Sequence, residues 1–176
     1  MSVSVSLLLA FSATLSLQKA MNSSATWTME RRLAGSTRSL RSSGDVRCRM
    51  GEGIVWRVLA PFVSSVEMTT NAMVFVDEDG RREKTLDELP HYEDIRRATD
   101  AFVAGQNTAF DAVFEVTETS LAAGGWRLEL VPKDSGMRRL AASVEITGAE
   151  LPTNVVLRTS DGGESVIRFR EFPRVP

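Results

Sequence analysis

At 176 residues the chain is long enough to bury one sizeable core, and 43% hydrophobic with 25% charged residues is the balance of an ordinary globular domain, not of a disordered or fibrous one. A net charge of -2 excludes the basic surplus that marks nucleic-acid binders. The single cysteine, Cys48, excludes an intrachain disulfide, so the fold has to rest on its apolar core.

Ser6 to Leu17 is apolar and small. It is shorter than the roughly 20 residues a membrane-crossing helix needs. Its length suits the core of a signal peptide, yet Lys19 is the first basic residue and Ala20 and Ala25 are poor cleavage sites. The same residues also read as an amphipathic first helix carrying Leu8, Phe11, Leu15 and Leu17 on one side. Both readings stay open, and residues 1-25 are set apart from one domain over 26-176.

Leu33 to Gly44 is rich in Ser, Arg and Gly and reads as a turn followed by a strand near Ser39 to Ser43. Two short strands around a Gly-rich turn follow. Val46, Cys48 and Met50 alternate with Arg47 and Arg49, and Ile54, Trp56 and Val58 oppose Arg57. Successive strand side chains point to opposite faces, so one face is apolar and the other cationic. Val63 to Thr70 and Ala72 to Val76 pair around Asn71. Asp77 to Gly80 is a turn, and Arg81 to Thr85 a short exposed strand.

Pro90 opens a helical region in which Glu93 to Ala104 puts Ile95, Ala98, Phe102 and Val103 at helical spacing, with Gly105 as the stop. Thr108 caps a second short helix through Val113. Period two then returns in Phe114/Val116, Trp126/Leu128/Leu130, Val144/Ile146, Val155/Leu157 and Ile167/Phe169, with Ser160 to Gly163 as a hairpin turn. Strands, a helical insertion and more strands, joined by short turns, point to antiparallel pairing in one domain.

Signals for chemistry are sparse. His91 is the only histidine and lies far from Cys48, so a buried thiol and a loop histidine outweigh a nucleophile pair. Asp77, Glu78 and Asp79 lack the spacing of a calcium loop and read as a solvated turn. Asp87, Glu88, Glu93 and Asp94 favour the dipole at a helix start over a catalytic carboxylate pair. Neither Gly51-Glu52-Gly53 nor Gly124-Gly125 has the lysine or the context of a phosphate loop. The expectation is therefore no enzyme, no cofactor and no metal site. The strand arginines read as a solvated outer face, with contact to an acidic partner or anionic lipid as the other reading. The aromatics Trp27, Trp56, Trp126, Phe75, Phe102, Phe114 and Phe169 either fill a core or line a cavity, whose walls Met50, Met68 and Met73 would make adaptable.

The order of several motifs resembles a known family. Trp27-Thr-Met-Glu-Arg-Arg-Leu33, Leu40-Arg-Ser-Ser-Gly44, Gly53-Ile-Val-Trp56 and Pro61 are similar to the opening of LolA-like proteins, the periplasmic carriers of outer-membrane lipoproteins. Trp126-Arg-Leu-Glu-Leu-Val-Pro-Lys133 resembles that family's W-x-L-x-L-x-P strand, and Gly148, Asp161-Gly162 and Ile167-Arg-Phe169 its closing strands. The resemblance implies an α+β, mainly β fold: one highly curved antiparallel sheet, an incomplete β-barrel, closed by a helical lid over an apolar cavity. It implies a periplasmic, monomeric carrier of lipid or acylated protein cargo, with an inner-membrane donor, an outer-membrane acceptor and transient membrane contact. The residues it assigns to lipid are Val46, Cys48, Met50, Ile54, Trp56, Val58, Met68, Phe75, Phe102, Leu128, Leu130, Ile146, Leu157, Ile167 and Phe169. One departure stands out. The family's lid-holding Arg-Pro pair falls, by spacing, on Met50-Gly51, and Arg49 beside it faces the other way. That leaves room for a different acylated or polyprenoid cargo. The other reading of the whole chain is an envelope β module with a filled core and no cargo.

Overall fold

The computed structural model describes residues 19-20, 23-49, 52-69, 72-85, 88 and 108-170. Eleven strands form one antiparallel sheet: β1 (Ser24–Arg32), β2 (Ser39–Arg49), β3 (Gly53–Ala60), β4 (Ser64–Met68), β5 (Ala72–Asp77), β6 (Gly80–Thr85), β7 (Phe114–Ser120), β8 (Trp126–Pro132), β9 (Ser143–Gly148), β10 (Pro152–Arg158) and β11 (Glu164–Arg170). Among the described residues, two short helices, α1 (Thr108–Val113) and α2 (Ser135–Leu140), interrupt them. The strand order is β6-β5-β4-β3-β2-β1-β11-β10-β9-β8-β7. Each pairing joins sequence neighbours except β1 with β11, which sits at the centre of the sheet. The sheet is open, with β6 and β7 at its two edges. This is the mainly β, single-sheet architecture that the alternation indicated.

The registers of the central strands put most of their apolar residues on one face. Val46 lies opposite Trp56, Cys48 opposite Ile54 and Gly44 opposite Val58. Trp27 stands between Gly44 and Phe169. That face is concave. Trp56 and Phe169 are three strand spacings apart, about 14 Å on a flat sheet, yet their ring centroids are 6.3 Å apart in an edge-to-face contact. An open sheet of this many strands has to curl, because strand twist accumulates.

The hairpin turns fall where Gly supplies positive φ: +112° at Gly80 and +93° at Gly162. Three features differ from the sequence reading. Ser24–Arg32 is a full central strand, although it adjoins the segment read as a leader or first helix. Ser39–Arg49 is one unbroken strand that passes through Gly44, where a glycine would ordinarily weaken it. Here its lack of a side chain is required: a Cβ would sit 1.8 Å from the Arg57 carbonyl oxygen and 2.8 Å from Cζ2 of Trp27. Finally, α2 was not anticipated. Its N-cap Asp134 accepts hydrogen bonds from the backbone N–H groups of Gly136 and Met137, at 2.8 and 3.0 Å. The expected helix over Glu93 to Ala104 lies outside the described residues.

The inner face carries two apolar clusters. One is built on Ala25, Trp27 and Val46, with Met29, Cys48, Ile54, Trp56, Val58, Ile167 and Phe169 packed against it. The other comprises Phe114, Trp126, Leu128, Leu130 and Met137, with Val113, Val116, Val144 and Ile146 around them. Met137 reaches this second cluster from α2 and is buried there.

Candidate functional site

Above the first cluster lies an apolar cleft of about 220 Å³. Val46 and Cys48 on β2, Ile54 and Trp56 on β3, Met68 on β4 and Phe169 on β11 line it, with Ala20, Ser23, Ala25 and Pro152. Met68 and Pro152 belong to strands five positions apart in the sheet order, so the cleft exists only because the sheet curves. Trp56 is its largest wall. It stacks on Trp27 with centroids 4.7 Å apart and planes at 25°, and Phe169 meets it edge-on. Both are favourable aromatic geometries.

Six of the residues assigned from sequence therefore meet at one place: Val46, Cys48, Ile54, Trp56, Met68 and Phe169. Val58 and Ile167 pack on the same cluster outside the cleft. Leu128, Leu130 and Ile146 share the inner face but pack with Trp126 and Met137 in the second cluster. Leu157, half-buried on β10, lies opposite Val144 and Ser165. Phe75, half-buried on β5, lies opposite Val66. Met50 and Phe102 lie outside the described residues. Ala20, Ser23, Ala25 and Pro152 were missed, as was Trp27, which backs the cleft. The alternation Ala25/Trp27/Met29 was the available signal for β1, whereas nothing local marks Pro152.

Polar groups at the two buried tryptophans differ. Trp126 Nε1 donates to the Ala149 carbonyl at 2.8 Å. Trp27 is 1% exposed, and among the described residues its Nε1 has no acceptor and the shielded Oγ of Ser42 has no partner. The Cys48 thiol is pushed up to about 11 by burial, so it stays protonated and a weak nucleophile at neutral pH.

The outer face is laced with ion pairs. Arg57 Nε meets Asp45 at 2.7 Å, Arg49 meets Glu52 at 3.4 Å, and Arg158 meets Glu164 at 3.4 Å. Arg47 and Arg49 point away from the cleft, as their alternation with Val46 and Cys48 required. Such exposed pairs contribute little each, about 0–1 kcal/mol. Among the described residues no three of His, Cys, Asp and Glu converge as a metal site, and no helix is long and apolar enough to cross a membrane.

The class these features define is an open antiparallel sheet with an apolar concave face. No family model matches the sequence, and no curated protein matches it. Solved structures to which it is similar include a LolA superfamily protein from Nitrosomonas europaea, at 10% identity and TM-score 0.44, covering 93% of this chain and 94% of that one. A DUF1329 family protein from Desulfovibrio piger aligns at 11% identity and TM-score 0.48, over 96% of this chain and 91% of that one. A chain of the Pseudomonas aeruginosa MucA/MucB complex aligns at 12% identity and TM-score 0.47, over 92% of this chain, which spans only 54% of the other.

Proposed function

We propose that the protein is a periplasmic carrier that holds the acyl chain of a lipoprotein or another lipid against its concave face and moves it toward the outer membrane. The observation that carries this reading is the cleft between β4 and β10, walled by Trp56, Phe169, Ile54 and Met68 with no charged side chain among its lining residues. At roughly 0.8 kcal/mol per buried methylene, one acyl chain supplies on the order of 10 kcal/mol before its ordering cost. The described cleft is smaller than the roughly 300–1,000 Å³ of common ligand pockets, so it takes a segment of a tail and not a whole lipid. Carriage of this kind needs no catalytic group, and a protonated Cys48 in the wall suits a binding surface better than a reactive one. Release then requires a competing membrane or partner.

Contact with a membrane would fall on one rim of the sheet. There Leu33, Leu40, Leu59, Phe62 and Val63 are exposed, with Arg31, Arg38 and Arg41 beside them in sequence.

Purification from native membranes and periplasm, followed by mass spectrometry, should recover a co-purifying acyl lipid. A fluorescent fatty acid should bind the wild type, and Trp56→Asp should abolish that binding while leaving circular dichroism unchanged. A protein that copurifies with no lipid and binds no such probe is not a carrier. The filled second cluster around Met137 favours that outcome as the other reading, an envelope β module whose inner face is simply its core.

A further inference from the structure

Among the described residues, two shielded polar side-chain atoms without partners, Trp27 Nε1 and Ser42 Oγ, lie on neighbouring strands. Trp27 on β1 stands opposite Gly44 on β2, and Ser42, the next inner-face residue of β2, stands opposite Met29. Because Gly44 has no side chain, the indole lies down across β2: its Cζ2 is 2.8 Å from where a Cβ would be. The ring carbon bonded to Cζ2 also bears Nε1, so the N–H edge of the indole lies over β2, the strand that carries Ser42. Trp56 covers the other face of the ring at 4.7 Å. An indole N–H only donates, and a serine hydroxyl can donate as well. Leaving such groups buried without partners is unfavourable, whereas the equally buried Trp126 has its acceptor in Ala149.

We propose that Trp27 Nε1 and Ser42 Oγ form a hydrogen-bonding subsite, behind the aromatic wall of the cleft, for a neutral carbonyl oxygen of the ligand. Two donors on one face match the two lone pairs of a carbonyl. Their in-register neighbours Met29, Val58 and Phe169 are apolar, so an uncharged ester or amide carbonyl suits the place and a carboxylate would be left without compensation. The inference rests on the carrier reading and narrows it: the preferred tail is one attached through a carbonyl, not a bare hydrocarbon or isoprenoid.

Two fluorescent probes of equal chain length test it, one a methyl ester and one the corresponding hydrocarbon. Wild-type protein should bind the ester more tightly. Ser42→Ala should weaken ester binding roughly three- to tenfold, the worth of one neutral hydrogen bond, and leave hydrocarbon binding unchanged, and Trp27→Phe should weaken ester binding more than hydrocarbon binding. Should Trp27→Phe fail to fold, Ser42→Ala alone decides. Wild-type protein that binds both probes equally, or variants that weaken both alike or neither, overturns the subsite and leaves the carrier reading standing; in that case the two atoms hold a resident water. Wild-type protein that binds neither probe overturns both.

Discussion

Cys48 reports on the cleft at the level of a single atom. Its thiol is held at about 11 against an ordinary 9.0 because burial disfavours the thiolate. Reactivity follows the thiolate, so those two units predict that iodoacetamide at pH 8 labels the folded protein on the order of a hundredfold more slowly than the urea-unfolded chain. The sign for stability follows from the same shift. The folded state keeps its proton to higher pH than the unfolded state, so Cys48 favours folding below pH 9 and that contribution is lost as pH rises from 9 towards 11. In denaturant titrations Cys48→Ala should remove this part of the alkaline fall. Equal labelling rates in the folded and unfolded chains would place the thiol outside the wall. Trp56 and Phe169 belong to the same argument, because they wall the cleft that Cys48 also lines.

Among the elements, α2 is the most exposed to a single change. Asp134 supplies two capping hydrogen bonds, and the six-residue helix it starts is too short to persist in isolation. Asp134→Ala should lower stability by about 1 kcal/mol, read as a reduced Tm. Since Met137 is delivered by this helix to Phe114, Trp126, Leu128 and Leu130, hydrogen exchange should rise first in β8. A Tm equal to that of the wild type would mean the cap does not hold the helix. The same helix explains a limit of sequence reading. The period-two runs around Val46, Trp56, Leu128 and Phe169 displayed strands and faces because that pattern is local. That Leu128 and Leu130 would be covered depends on Met137 in Ser-Gly-Met-Arg-Arg-Leu, which has no apolar period of its own. Pro152 joins the cleft only through the summed curvature of strands far apart in sequence. β1 was obscured by its small inner residue Ala25 and by the apolar leader-like stretch before it.

At the scale of the whole molecule, the open sheet has to protect its edges. Every residue of the edge strand β6 is exposed, and Arg81, Arg82, Glu83 and Lys84 make it a charged edge that resists pairing with another chain. The rim is different. Arg32 pairs with Ser39, Ser43 with Ala60 and Val58 with Ser64, so the β1–β2 and β3–β4 connections emerge at one end of the sheet. Leu33, Leu40, Leu59, Phe62 and Val63 are 47%, 59%, 55%, 72% and 65% exposed there. An apolar patch flanked by arginines is the composition that inserts shallowly into an anionic bilayer. Phe62→Ser should change folding stability by no more than about 0.5 kcal/mol, as surface substitutions do. It should lower partitioning onto vesicles containing anionic lipid on the order of tenfold, the effect of no longer burying one large aromatic. Raising salt should weaken the wild type's partitioning through the arginines without restoring that of the variant. Partitioning unaffected by Phe62→Ser would move the proposed membrane contact to another surface, whereas loss of partitioning with cleft binding intact would separate a membrane-contacting rim from the proposed binding at Trp56.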